Sequence, residues 1–157
     1  MNSTEKTPVY TKPVLYLGAF LISLVGGILF LATEFGWWYE GYSWGYDFAL
    51  YGEYTPWYGK IILVVLGLFY LFVAFVSLQK LYPFLKIDSE LEENLEKGAF
   101  YATIAVVILT IMTAIIFGIL ASEGTDWGFG TTFYTGLLGG IITILLLIFA
   151  RRLEAQS

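Results

Sequence analysis

VLYLGAFLISLVGGILFLAT, residues 14–33, is twenty residues without a charged side chain. A helix needs roughly 20 apolar residues to cross the hydrocarbon core of a bilayer. Inside that core the backbone must satisfy its own hydrogen bonds, and a helix does so within one segment. Barrel strands would be about half as long, with a polar residue at every second position. Three further stretches repeat the helical pattern: 58–78, 98–122 and 131–150. The composition agrees, with 58% hydrophobic and 13% charged residues and a mean hydropathy of +0.74. Soluble domains carry about 25% charged residues. The expected fold is an all-α integral membrane protein, a four-transmembrane-helix bundle forming a single membrane domain over residues 1–157. Residues 14–33 are too long for a signal-peptide core, and no small-x-small site precedes Glu34, so they read as a retained helix.

Lysine and arginine fix the expected orientation. Lys6 and Lys12 precede the first span; Lys80, Lys86 and Lys97 lie between the second and third; Arg151 and Arg152 follow the fourth. Seven of the eight basic residues thus share one side, the cytoplasmic one, which also holds both termini. Only Lys60 lies with the outer loops, 34–57 and 123–130. Seven carboxylates balance the seven inner cations, and six face one cation outside, so the formal net charge of -5 lies wholly on the outer side. An acidic outer face excludes nucleic acid there and suits cations or basic surfaces. The chain has no Cys and no His, which removes thiol chemistry, haem ligation by histidine and the usual zinc sites. No cofactor is expected. Scarce Asn and Gln lean towards a hot or acidic habitat, and a single sequon, Asn2 to Thr4, on the expected inner side together with the lack of outer cysteines points to a prokaryotic plasma membrane.

The first outer loop is the unusual segment. FGWWYEGYSWGYDFALYGEYTPWY, residues 35–58, is half aromatic: twelve of twenty-four. From Tyr42 onward, Tyr42, Trp44, Tyr46, Phe48 and Leu50 alternate with smaller or polar residues, a strand signal with one aromatic face. Gly52-Glu53 offers a turn, and Tyr54–Trp57 a returning strand. The expectation is a packed extracellular cap containing a short β-hairpin, with Trp37, Trp38, Tyr42, Trp44, Tyr46, Phe48, Trp57 and Trp127 as its contact residues. Tryptophan and tyrosine also favour the headgroup level, so an aromatic belt explains part of this enrichment. Glu34, Glu123 and Asp126 are the candidates for an acidic outer mouth, although no calcium-loop spacing accompanies them.

The inner connection, 79–97, has Pro83 to end the second helix. Ser89 with Glu92 fits a capping box, and Ile87, Leu91 and Leu95 form one apolar stripe, so a short cytoplasmic amphipathic helix is expected there. Small residues recur at spacing four. Ser23 and Gly27, Ala114 and Gly118, and Gly136 and Gly140 mark close helix packing, within the bundle or between subunits. A short internal echo is also present: Phe30-Leu31-Ala32-Thr33-Glu34 closes the first span and Ile119-Leu120-Ala121-Ser122-Glu123 closes the third. It suggests two helical hairpins of the same orientation.

Four spans, both termini inside, a long first outer loop with strand character and a short second one resemble the claudin-like tetraspan group in topology. That group's Gly-Leu-Trp motif and paired cysteines are missing. Trp37, Trp38 and Trp44-Gly45 supply tryptophans alone, and no residue role is carried over.

The apolar runs 14–33, 61–78, 98–122 and 131–150 contain no Asp, Glu, Lys, Arg or His, the groups that mark proton relays, ion coupling and voltage sensing. No catalytic or metal-ligating set stands out. The expected function is therefore non-enzymatic: a structural or assembly protein, self-associating or an accessory subunit of a larger membrane complex, in contact with membrane lipids. An oligomeric channel with an acidic outer mouth and a lipid-binding protein are the alternatives.

Overall fold

The computed structural model describes residues 11–41 and 44–155, Trp44 by its backbone alone. Four helices are long and apolar enough to cross a membrane. They are α1 (Thr11–Ala32), α2 (Trp57–Leu81), α3 (Ser89–Ala121) and a fourth built from three pieces. Those pieces are α4 (Thr131–Tyr134), a π-helical turn (Thr135–Gly139) and α5 (Gly140–Ala155). A small antiparallel sheet of β1 (Gly36–Glu40), β2 (Trp44–Phe48) and β3 (Asp126–Phe129) lies at one end, in the order β2-β1-β3. α1 and α3 run toward this sheet end. α2 and the fourth helix run back toward the terminal end. α1 and α3 each pack on α2 and α5, so every helix is antiparallel to its neighbours.

The helix boundaries have local causes. Pro13 sits in the first turn of α1, where its missing N–H leaves no bond unmade. Pro56 precedes α2 with φ -60°. At the other end α2 stops at Leu81, two residues before Pro83. The N-cap of α3 is Asp88, whose carboxylate accepts from the Leu91 N–H at 2.7 Å. The expected cap at Ser89 is thus one residue late: Asp88 has the extended backbone of a cap and the stronger acceptor. No separate amphipathic helix forms. Residues 89–97 are the opening turns of α3, which at 1.5 Å per residue is about 50 Å long and overreaches a ~30 Å hydrocarbon core. The apolar stripe also does not face inward there. Leu91 is exposed, Leu95 is half-buried, and Glu96 and Ala99 are buried.

Two core clusters fill the bundle. Phe30, Leu63, Leu66, Tyr70, Val106 and Phe117 occupy the sheet half. Tyr16, Ala19, Val73, Val76, Ala99 and Leu147 occupy the terminal half. Glycines set the closest helix approaches. A Cβ at Gly27 would lie 2.8 Å from Leu71 and 3.2 Å from the Gly67 carbonyl oxygen, so α1 and α2 cross backbone to backbone. Tyr70 fills the gap left by Gly26, where a Cβ would meet its ring at 2.9 Å. Its hydroxyl donates to the Thr135 carbonyl oxygen at 2.8 Å. The π-turn frees carbonyls from the regular helical ladder, and Tyr70, fully buried, supplies one with a donor.

Candidate functional site

The sheet end carries the densest arrangement of polar and aromatic groups outside the spans. β1 turns into β2 through Gly41, whose φ of 70° lies in the left-handed region that glycine enters freely. Trp37 pairs with Asp47, Trp38 with Tyr46 and Gly36 with Phe48. The alternation seen in the sequence is therefore a strand, but its partner lies upstream. The expected turn at Gly52-Glu53 forms, closed by the Thr55 N–H donating to the Gly52 carbonyl oxygen at 3.3 Å, but the return strand at Tyr54–Trp57 does not. Thr55 Oγ1 accepts from the Ala49 N–H at 2.9 Å and donates to the Asp47 carbonyl oxygen at 3.2 Å, winding residues 49–55 into compact turns. Pro56 then leads directly into α2. The second loop adds β3 on the far side of β1, with Trp38 opposite Trp127 and Tyr39 opposite Asp126.

Cross-strand partners share a face. One face looks onto the bundle with Trp38, Tyr46, Phe48, Trp127 and Phe129. It rests on Phe117 of α3, whose ring centroid lies 5.5–6.1 Å from those of Phe129, Phe48, Trp127 and Trp38. Phe35, fully buried, meets Phe48, Phe117, Phe129 and Phe133 within 6.4 Å. Gly36 fits beneath β1 because a Cβ there would strike the Phe117 ring. These edge-to-face contacts fix the sheet rigidly to α3. Neither Phe35 nor Phe117 stands out in the sequence among so many apolar residues.

The opposite face looks away from the bundle. Trp37 lies across Gly128, and Tyr39 across Gly45, where Cβ atoms would sit 2.8 Å and 2.7 Å from the rings. Aromatic rings covering cross-strand glycines compensate for the missing side chains. Asp47 and Asp126 occupy the same face and are exposed. Burial and the nearby Glu40 carboxylate push the Tyr46 phenol above its ordinary pKa. Trp57 is 73% exposed at the start of α2, away from the sheet's packed face. Tyr42, and the side chain of Trp44, lie outside the described residues.

Glu34, Glu123 and Asp126 are not brought together. Among the described residues no group of three or more carboxylates is placed to hold a metal ion. Asp126 is on the sheet's outward face, Glu123 is exposed in the turn after α3, and Glu34 lies against Gly130. Glu34 instead opens a groove of about 560 Å³ lined by Trp37, Phe129, Thr131, Tyr134, Leu138 and Gly139. A second groove, of about 540 Å³, lies between α2 and α3 and is lined by Phe69, Phe72, Gly98, Tyr101, Ala102 and Ala105.

The small-residue positions are mostly used inside the chain. A Cβ at Gly136 would strike Phe30 at 2.8 Å as well as Thr110, and one at Gly140 would strike Val107 at 2.6 Å. Ser23 is fully buried, and Ala114 is half-buried against the core. Gly118 differs, with nothing within 4 Å of where its Cβ would be.

The terminal end holds a charge cluster that the sequence reading distributes over solvated segments. Lys80 of α2 pairs with Glu92 at 3.0 Å and Glu96 at 3.5 Å on α3, and with Glu154 on α5 at 3.1 Å. Tyr16 of α1 donates its hydroxyl to Glu96, and Lys12 pairs with Glu154 at 2.7 Å. All four helices contribute, and the Lys80 side chain is only 12% exposed. The arrangement can lock helix register, because each buried charge meets an opposite one or a hydroxyl.

Comparison of this chain with known proteins finds no matching family model, no matching curated protein and no matching solved structure.

Proposed function

We propose that this chain is a non-enzymatic assembly or scaffold subunit of a plasma membrane, with the sheet end outside and both termini in the cytoplasm. Its contact surface is the outward face of the cap. One observation carries this reading: Trp37 and Tyr39 are held flat over glycines on a sheet whose other face is pinned to Phe117. A rigid aromatic surface loses little entropy on association. Tyrosine and tryptophan are enriched at the anchoring positions of interfaces. Asp47 and Asp126 flank those rings, so the complementary surface is basic. The glycines of the fourth span already pack within the chain, which favours the cap over that span as the contact surface. Phe30, Leu66 and Tyr70 fill the bundle axis, so a conduit would have to run between copies.

Native mass in mild detergent tests the proposal. The wild type is expected to run as an oligomer or with a bound partner, and a Tyr39→Ser/Asp47→Lys variant as the single chain. A wild type that is monomeric and partnerless when extracted from its own membrane, or a variant that keeps the wild-type mass, ends it.

A further inference from the structure

The groove beside Glu34 has a composition unlike the rest of the surface. Its wall contains one charged residue, and that residue is half-buried. Among the described residues, the Glu34 carboxylate has neither an ion pair nor a hydrogen bond. Lys60 is the one described basic residue at this end of the bundle, and it is not in the lining. Gly130 allows the close approach: a Cβ there would strike the Glu34 backbone and lie 3.0 Å from its Cγ. Trp37 and Tyr134 are among the aromatic residues that line it. The Trp37 indole is held by its packing over Gly128, so that wall is set in place before anything binds.

The groove does not end at the sheet. It continues along Thr135, Leu138 and Gly139, the π-turn of the fourth helix. An inserted residue widens a helix locally, and such turns recur at binding sites. Gly139 adds no side chain there. One end is thus acidic and aromatic at the level where the spans emerge, and the other is apolar within a span.

We propose that this groove is a single-lipid site selective for an ammonium headgroup. Glu34 receives the ammonium, Trp37 and Tyr134 flank it through their ring faces, and the first part of a chain lies along Leu138 and Gly139. Three features select this occupant. A carboxylate with no internal partner is complementary to a cation, aromatic faces attract an ammonium more than an anion, and the polar-to-apolar gradient matches an amphiphile in the adjoining leaflet. The volume falls within the range of small-molecule sites.

The test uses the full chain in nanodiscs made with equal amounts of phosphatidylethanolamine and phosphatidylglycerol, followed by native mass spectrometry counting lipids retained per chain. Phosphatidylethanolamine is expected to be retained preferentially, and Glu34→Gln to reduce its retention about tenfold while leaving phosphatidylglycerol unchanged. Leu138→Trp, which fills the apolar end, is expected to reduce both. Equal retention of the two lipids by the wild type means general annular lipid and overturns the site. Unchanged selectivity in Glu34→Gln also overturns it. Circular dichroism of both variants checks that the fold persists. Lipid is counted per chain, so the outcome does not depend on whether the cap mediates assembly.

Discussion

Phe117 at the sheet end is ringed by Trp38, Phe48, Trp127 and Phe129; Lys80 at the terminal end is ringed by Glu92, Glu96 and Glu154. Both residues tie several elements together. The first does it with apolar area and ring geometry, the second with charge. The difference follows from what each end must hold. At the sheet end an added layer of strands covers the helix ends and excludes water, so aromatic packing suffices. At the terminal end the described residues add no such layer. α3 is longer than a hydrocarbon core is thick, and its opening turns bring Glu92 and Glu96 beside Lys80 on α2. Charges close that end because the helices meet there in a setting wet enough to hold ions and dry enough to strengthen their attraction.

The comparison breaks first at Phe117. Phe117→Ala removes the ring on which the whole packed face of the sheet rests, and truncating such a phenylalanine costs about 4 kcal/mol. Denaturation in mixed micelles should show this loss. Near-UV circular dichroism should show the tryptophan and tyrosine signals of the cap collapsing while helical content stays. A cap signal that survives would mean that the sheet holds itself together without α3.

The clamp gives the next largest effect. Lys80→Met leaves Glu96, which is 8% exposed, beside Glu92 with no cation between them. Breaking a buried pair from one side costs about 3 kcal/mol. Adding Glu96→Leu to Lys80→Met is expected to restore most of that loss, because no buried charge is then left unpaired. The same two-step rescue has no counterpart at Phe117, where the loss is a cavity. Equal instability of the single and double variants would show that Lys80 acts through its apolar stem rather than its charge.

Much of this architecture is legible in the amino-acid order, and the gaps have physical reasons. The four spans are plain because a bilayer demands length and greasiness, which a single sequence displays. β2 is plain because it alternates. β1, Gly36–Glu40, is hidden because it is the central strand: Trp38 faces the bundle while Trp37 and Tyr39 cover glycines on the other face, so no period of two survives. β3 is four residues long, too short for a pattern. The clamp is hidden for another reason. Lys12 and Lys80 serve as orientation signals when read singly, and nothing local says that Tyr16, Glu96 and Glu154 converge on them. The groove needs Glu34 and Leu138 on one wall, which only tertiary packing brings about.

The smallest expected effect isolates the backbone of the cap from its packing. Gly41 joins β1 to β2 with φ 70°, and nothing lies within 4 Å of where its Cβ would be. Gly41→Ala therefore creates no clash with another residue. Its cost is the left-handed backbone itself, about 1 kcal/mol for an L-residue with a Cβ. Gly41→Asn should cost less, since asparagine enters that region more readily than other side chains. The turn is distant in sequence from Phe117 and Lys80, so its effect should add to theirs. Stability of the Gly41→Ala/Phe117→Ala pair in mixed micelles decides the matter. A sum of the single losses makes the turn a local device. A smaller loss would mean that the hairpin is already undone once α3 lets go of the sheet.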